Sequence, residues 1–177
     1  MGTDFVKLFN KALADQILAM GQEPLTSFLE ENISALQQKP PTLSLVLLEM
    51  EQKGSSVSDS VERLLSGEQT FSQLRAEVAQ DFAFGDAEIY LDYWGCYAHV
   101  FSGHPESSIS SLDYLPDQAE ETFLLPSPEH VDQMIGSLQE HSHDLRVMST
   151  ADIETLKQWR DFCGANPSYM VAYHFDY

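Results

Sequence analysis

The chain has 177 residues, of which 43% are hydrophobic and nineteen are aromatic, and its formal net charge is −19. This apolar content excludes intrinsic disorder, which combines high net charge with low hydrophobicity, and the length suffices for a core without disulfides or metals. The negative charge argues against direct binding to nucleic acid, because phosphates require Lys and Arg, and against anionic membrane surfaces. It suits solubility, binding of cations or a basic protein partner.

The negative charge is concentrated in residues 76–145, which we call the acidic window. This window contains fourteen of the 28 Asp and Glu residues and five of the six histidines, but no Lys or Arg. Its net charge is therefore −14, compared with −4 for residues 1–75 and −1 for residues 146–177. The window is the strongest functional signal in the sequence.

Cysteine usage and the N-terminal residues favour a cytoplasmic location. Cys96 and Cys163 are far apart and form no CxxC motif, whereas secreted frameworks have more cysteines at closer spacing. The first sixteen residues are interrupted by charges and lack the apolar core of a signal peptide. Every apolar run is far shorter than the roughly 20 residues that span a bilayer.

The N-terminal half predicts a series of helices. Apolar residues recur at helical spacing over residues 5–20 and 24–36, and the apolar run at 43–52 is interpreted as a buried helix. Two further helices are indicated by capping-box spacings, in which a Ser, Thr or Asp is followed three residues later by Glu or Gln. These pairs are Asp59 with Glu62 and Thr70 with Gln73.

The middle of the chain changes in pattern. Residues 88–92 alternate as in a short strand, and residues 94–101 return to helical spacing. The stretch 102–126 has no clean period and predicts a long irregular loop. Long irregular stretches inside compact domains are usually functional or mobile segments.

The C-terminal part predicts two helices and a strand. Ser127, Pro128 and Glu129 form a strong helix start, and a last helix is expected from about Ser149. Residues 169–177 alternate with period two and are largely apolar on both faces, which predicts a strand inside a sheet. We therefore expect one α+β domain over residues 1–177, with a helix-rich N-terminal half and a small sheet that includes the C-terminal strand.

Two segments carry a resemblance to a known family. The sequences LDYWGCYAHVFSG at residues 91–103 and LPSPEHVDQMIGSL at residues 125–138, followed by a helix and an apolar strand, resemble the YfbM-like family of uncharacterised bacterial proteins. Tyr93 stands where that family usually has Lys, and Trp94 is one place early. The resemblance covers the second half of the chain and implies a small α/β domain. The family has no settled activity, so no catalytic residue is carried over.

A metal-assisted hydrolase is one alternative for the histidines of residues 96–144. Cys96 and His99 would share a helix face at i and i+3, and His104 follows closely, whereas catalytic zinc needs three protein ligands and a water. The same residues fit an ordinary packed helix equally well. The run His141-Ser-His143-Asp144 is similar to the His-x-His-x-Asp motif of metal-dependent hydrolases, but its Asp comes one place too soon. Both histidines are better explained as residues at the end of a helix.

Other catalytic signatures are missing from the sequence. There is no nucleophile elbow, phosphate-binding loop or dinucleotide fingerprint, so we expect no cofactor. Cys163 and His174 would form a thiol–imidazole pair only if the last helix packs on the last strand. The acidic pairs, such as Glu120 with Glu121, are typical of solvated faces.

The sequence therefore favours a non-catalytic binding protein over an enzyme. Aromatic residues are enriched at interfaces, and a rim of carboxylates gives a basic partner both steering and specificity. The candidate binding residues are aromatic or acidic members of the window: Tyr93, Trp94, Asp113, Tyr114, Asp117, Glu120 and Glu121. An inhibitor or immunity-like module works in this way. A subunit whose acidity serves only solubility is the remaining alternative.

Overall fold

The computed structural model describes residues 4–39, 44–91, 110–111, 122–125, 127–140 and 150–174. The predicted helix at 94–101 lies outside these residues. The described elements, in chain order, are β1 Asp4–Asn10, α1 Lys11–Leu18, α2 Gln22–Gln37, α3 Leu45–Lys53, α4 Val57–Ser66, α5 Phe71–Ala83, β2 Phe84–Leu91, β3 Ser110–Ser111, β4 Thr122–Leu125, α6 Pro128–Glu140, α7 Thr150–Ala165 and β5 Tyr169–His174.

The strands form one sheet in the order β2-β1-β5-β4-β3, and every neighbouring pair is antiparallel. The predicted α+β class, the helix-rich N-terminal half and the C-terminal strand are confirmed. β5 lies between β1 and β4, where Val171 is opposite both Leu8 and Leu125. β5 has a strand on each side and a core cluster on each face, which explains why its residues from Tyr169 to Tyr173 are apolar.

Helices cover both faces of the sheet. On one face, α6 and α7 bury Val131 and Leu156 against Val171 and the fully buried Tyr173 of β5. On the other face, a second cluster joins Phe9 of β1 to the N-terminal helices. Because successive side chains of a strand point to opposite faces, β1 and β5 contribute to both clusters. The described parts of the acidic window therefore lie on both faces of the sheet. The second half of α5 is on one face, α6 is on the other, and β2 is at one margin.

The first predicted helix, over residues 5–20, is wrong in its first half, where β1 replaces it. Apolar residues of the segment 5–9 lie on both faces of the strand. The same sequence therefore fits the spacing of an amphipathic helix and the pattern of a strand that is buried on both faces. Asn10 marks the change of structure, because its side chain accepts a hydrogen bond from the backbone N–H of Leu13 at 3.1 Å. That N-cap starts α1 after the strand.

The other helix starts are predicted with small errors. Thr70 and Gln73 form a reciprocal capping box with bonds of 3.2 and 3.0 Å, as expected. α4 starts earlier than its predicted signal, because Ser56 is its N-cap and accepts the backbone N–H of Asp59 at 3.2 Å. α6 and α7 begin within one residue of their predicted starts.

The stretch 102–126, predicted to be irregular, contains β3 and β4. The prediction is wrong for those residues, and the rest of the stretch lies outside the described part of the chain. β4 is short, and its neighbouring residues Leu124 and Leu125 are both buried, each in a different core cluster. A strand that is apolar on both faces shows no alternation, so these residues carry no period-two signal that would predict a strand.

Candidate acidic binding surface

The predicted binding and metal residues lie outside the part of the chain that the structure describes. They are Tyr93, Trp94, Asp113, Tyr114, Asp117, Glu120 and Glu121 for binding, and His99 and His104 for the metal alternative. The geometry of the acidic window rests instead on its seven described acids, which are Glu77, Asp81, Asp86, Glu88, Glu129, Asp132 and Glu140.

Three of these acids are paired with cations from outside the window. Lys7 of β1 reaches Glu88 of β2 at 2.6 Å, and the two residues are opposite each other in the sheet register. Lys39, just beyond α2, lies 3.7 Å from Asp86. Arg160 of α7 contacts Asp132 of α6 at 2.6 Å and Asp161 at 3.0 Å. The fold thus supplies positive charges that the window itself lacks.

In each of these pairs the cation is more buried than the acid. The side chains of Lys7 and Glu88 are 19% and 27% exposed. For Lys39 and Asp86 the values are 16% and 61%, and for Arg160 and Asp132 they are 26% and 53%. Long basic side chains place their aliphatic stems over apolar neighbours, which accounts for this arrangement. The pairs of Asp86 and Asp132 therefore leave a carboxylate at the surface, whereas the carboxylate of Glu88 is only partly exposed.

Lys39 has the least exposed side chain of the three cations. Its Nζ donates to the backbone oxygens of Asp81 at 2.6 Å and of Phe84 at 3.0 Å, at the end of α5. Carbonyl groups at a helix end lack intrahelical partners and carry partial negative charge, so an ammonium there is favourable. Lys39 thereby joins the end of α2 to the junction of α5 and β2.

Asp81 titrates unusually close to neutrality. Burial raises the pKa of this carboxyl from 3.8 to about 6, and the nearby Glu77 acts in the same direction. The hydrogen bond with the buried Ser44 and the charge of Lys39 oppose the shift without cancelling it. The charge of the window therefore changes in mildly acidic solution.

An aromatic side chain lies beside the paired acids on β2. Tyr90 is 55% exposed, donates its hydroxyl to Glu88, and lies 6.2 Å from the Phe5 ring between centroids. The hydrogen bonds from Lys7 and Tyr90 lower the pKa of Glu88 against the opposing effect of its partial burial. Tyr90 is not among the predicted binding residues. Tyr90 and Glu88 are two positions apart in a strand, however, and residues at that spacing point to the same face of the sheet.

The described residues give no support to catalysis by a thiol or a metal. Cys163 of α7 is partly buried and packs against a core cluster, and burial raises its pKa to about 11, so the thiol stays protonated near neutral pH. Within the described ranges, no three His, Cys, Asp or Glu residues are placed to hold a metal ion. Ser127 and His130 are hydrogen-bonded at the start of α6, where the serine serves as a helix cap.

No helix among the described residues is both long enough and apolar enough to cross a membrane. Compared with known proteins, the chain matches no family model, no curated protein and no solved structure. The resemblance to the YfbM-like family therefore stays a prediction.

Proposed function

We propose that this chain is a non-catalytic, cytoplasmic binding module of the inhibitor or immunity type, which engages a basic protein partner through the acidic window. The observation that carries the proposal is that the carboxylate is the more exposed member of every ion pair in the described part of the window, with Asp86 and Asp132 more than half exposed. Such a surface attracts cations even where its acids have internal partners. Complementary charge of this kind accelerates encounter and selects the partner.

The supply of internal cations limits how much more of the window can be neutralised. Among the described residues, five Lys and Arg residues are already in ion pairs, namely Lys7, Lys11, Lys39, Lys157 and Arg160. A sixth, Arg75, donates to the backbone oxygen of Met20 at 3.1 Å. The window has seven more acids beyond the described ones. A basic partner would supply further positive charge to the window.

Charge reversal tests the proposal directly. In one variant Asp113, Asp117, Glu120 and Glu121 are all changed to Lys. The matched control changes four exposed acids of α2 and α3 to Lys, namely Glu23, Glu30, Glu31 and Glu51. The net charge changes equally in both variants, so any difference between them reports where the charge acts.

The probe is a lysine-rich peptide, and its affinity is measured by titration calorimetry at about 50 and about 150 mM NaCl. We expect the first variant to bind at least about tenfold more weakly than the control. We also expect affinity of the unmodified protein to fall with salt. Equal losses in both variants, or binding that is insensitive to salt, would contradict the proposal.

A metal-assisted hydrolase that uses His99 and His104 stays a prediction, since no described residue bears on it. Metal analysis of the purified protein and melting with and without a chelator would test it.

A further inference from the structure

We infer that the basic partner binds as a short extended segment along β2, adding a strand beside Glu88–Leu91 with Tyr90 as an aromatic anchor. This inference rests on the proposed function and specifies the place and form of the contact. Addition of a strand to a sheet edge combines backbone hydrogen bonds with pockets for alternate side chains.

β2 is at the margin of the sheet. The strand order places β1 on one side of β2, and among the described residues no strand lies on its other side. Asp86, Ala87, Glu88 and Tyr90 are all exposed, including the small side chain of Ala87. The outer strand of a sheet presents backbone groups that can pair with another chain.

An irregularity in β2 limits the length of the free edge. Lys7 is opposite Glu88, but Phe9 is opposite Phe84, so β2 contains two more residues than β1 between these pairs. The regular part of the ladder is Glu88–Leu91, which pairs with Asp4–Lys7. Bulges interrupt edge pairing, so the added segment has about four paired residues.

The charges of β2 favour a basic segment over a second copy of this chain, because the carboxylates of Asp86 and Glu88 keep 61% and 27% of their side chains exposed beside their partners Lys39 and Lys7. Two β2 edges side by side would bring Asp86 and Glu88 of one copy close to the same acids of the other. Like charges opposite each other in a sheet are destabilising. Lys or Arg at alternate positions of a partner strand would instead lie near the Glu88 carboxylate and the face of Tyr90, where a cation is attracted to the ring.

Two peptides separate strand addition from simple charge attraction. One is a peptide of about eight residues that alternates Lys and Thr. The other has the same sequence with N-methyl groups on alternate amides, which retain the charge and prevent strand pairing. Binding is measured by fluorescence anisotropy with full-length protein, and hydrogen exchange reports protection of the amides of Glu88–Leu91.

We expect the unmethylated peptide to bind at least about tenfold more tightly than the methylated one and to protect the β2 amides. Tyr90→Ala and Asp86→Lys should each weaken binding of the unmethylated peptide severalfold. Phe162→Ala, which removes the other large exposed aromatic side chain of the described residues, should leave it unchanged. Circular dichroism of each variant establishes that the fold is retained.

Each contrary result has a distinct meaning. If methylation makes no difference while the reversal at Asp113, Asp117, Glu120 and Glu121 abolishes binding, strand addition fails and the proposed function stands. If neither peptide binds the unmodified protein, both fail. A dimer in sedimentation experiments that Tyr90→Ala dissociates would assign the edge to a second copy and overturn the inference.

Discussion

Ion pairs within single helices differ from the ion pairs of the acidic window. In α1 and α7, Lys11 with Asp15 and Lys157 with Glu154 are neighbours in sequence, and both members of each pair are exposed. The window pairs instead join different parts of the fold, and their cations are less exposed, at 16–26% of the side chain compared with 38% and 40% for the cations of the pairs within helices. Pairs of the first kind contribute little to stability. Pairs of the second kind connect different parts of the fold through a largely buried cation.

The largest difference should appear at Lys39. Lys39→Met keeps the apolar stem but removes the ammonium that bonds to two carbonyl oxygens at the end of α5. Because those charge-assisted bonds are partly buried, we expect the free energy of unfolding to fall by about 2–3 kcal/mol. Urea unfolding measures it. Lys11→Met is the matched control. It should change the free energy of unfolding by less than about 0.5 kcal/mol, because the ion pair of Lys11 with Asp15 is exposed. Equal effects would remove the distinction between the two kinds of pair.

Asp81 should make stability depend on pH between about 4 and 6. Folding raises the pKa of this carboxyl from 3.8 to about 6, so the folded state holds the proton more tightly than the unfolded state. The resulting contribution to stability is fully present below pH 3.8 and is lost as the pH rises through about 6. Asp81→Asn removes the cost of burying the charge, so we expect a gain of about 1–2 kcal/mol at neutral pH and a flatter pH profile. Thermal unfolding from pH 4 to pH 8 provides the measurement. Asp15→Asn, in an exposed pair, should retain the unmodified profile.

The smallest of the three effects should appear at Lys7. Its ammonium contacts Glu88 and lies 5.6 and 5.9 Å from the ring centroids of Phe5 and Phe84. Lys7→Met retains the stem and loses these contacts, which should lower the free energy of unfolding by about 1 kcal/mol. Chemical denaturation should show a smaller change for Lys157→Met. A loss at Lys7 no greater than that at Lys157 would show that the window pairs contribute only to surface charge.

The sequence predicted elements where one local signal dominates. The Thr70–Gln73 capping box and the start of α6 follow from side chains that bond to nearby backbone, so sequence spacing alone defines them. β1 was missed because its residues are apolar on both faces, a pattern that becomes a strand only when β2 and β5 lie beside it. Tertiary context decides such segments.

The candidate site was predictable only as a charge imbalance. Composition located the window, but the pairing of Asp132 with Arg160 depends on how α6 and α7 pack, which no local pattern encodes. The outward position of the acids likewise depends on which partner has its stem against the core. The proposed role of Tyr90 depends on the position of β2 at the margin of the sheet, which no local pattern encodes.

The pairing of β1 with β5 has a consequence for biosynthesis. Residues that are opposite each other in these strands are about 160 positions apart in the chain. During translation at roughly 5–20 residues per second, β1 is therefore complete many seconds before its partner strand exists. The N-terminal helices can form during that interval, but the apolar strand β1 must wait without β5. We expect the nascent chain to depend on protection of this strand, and fusions that delay β5 to increase aggregation.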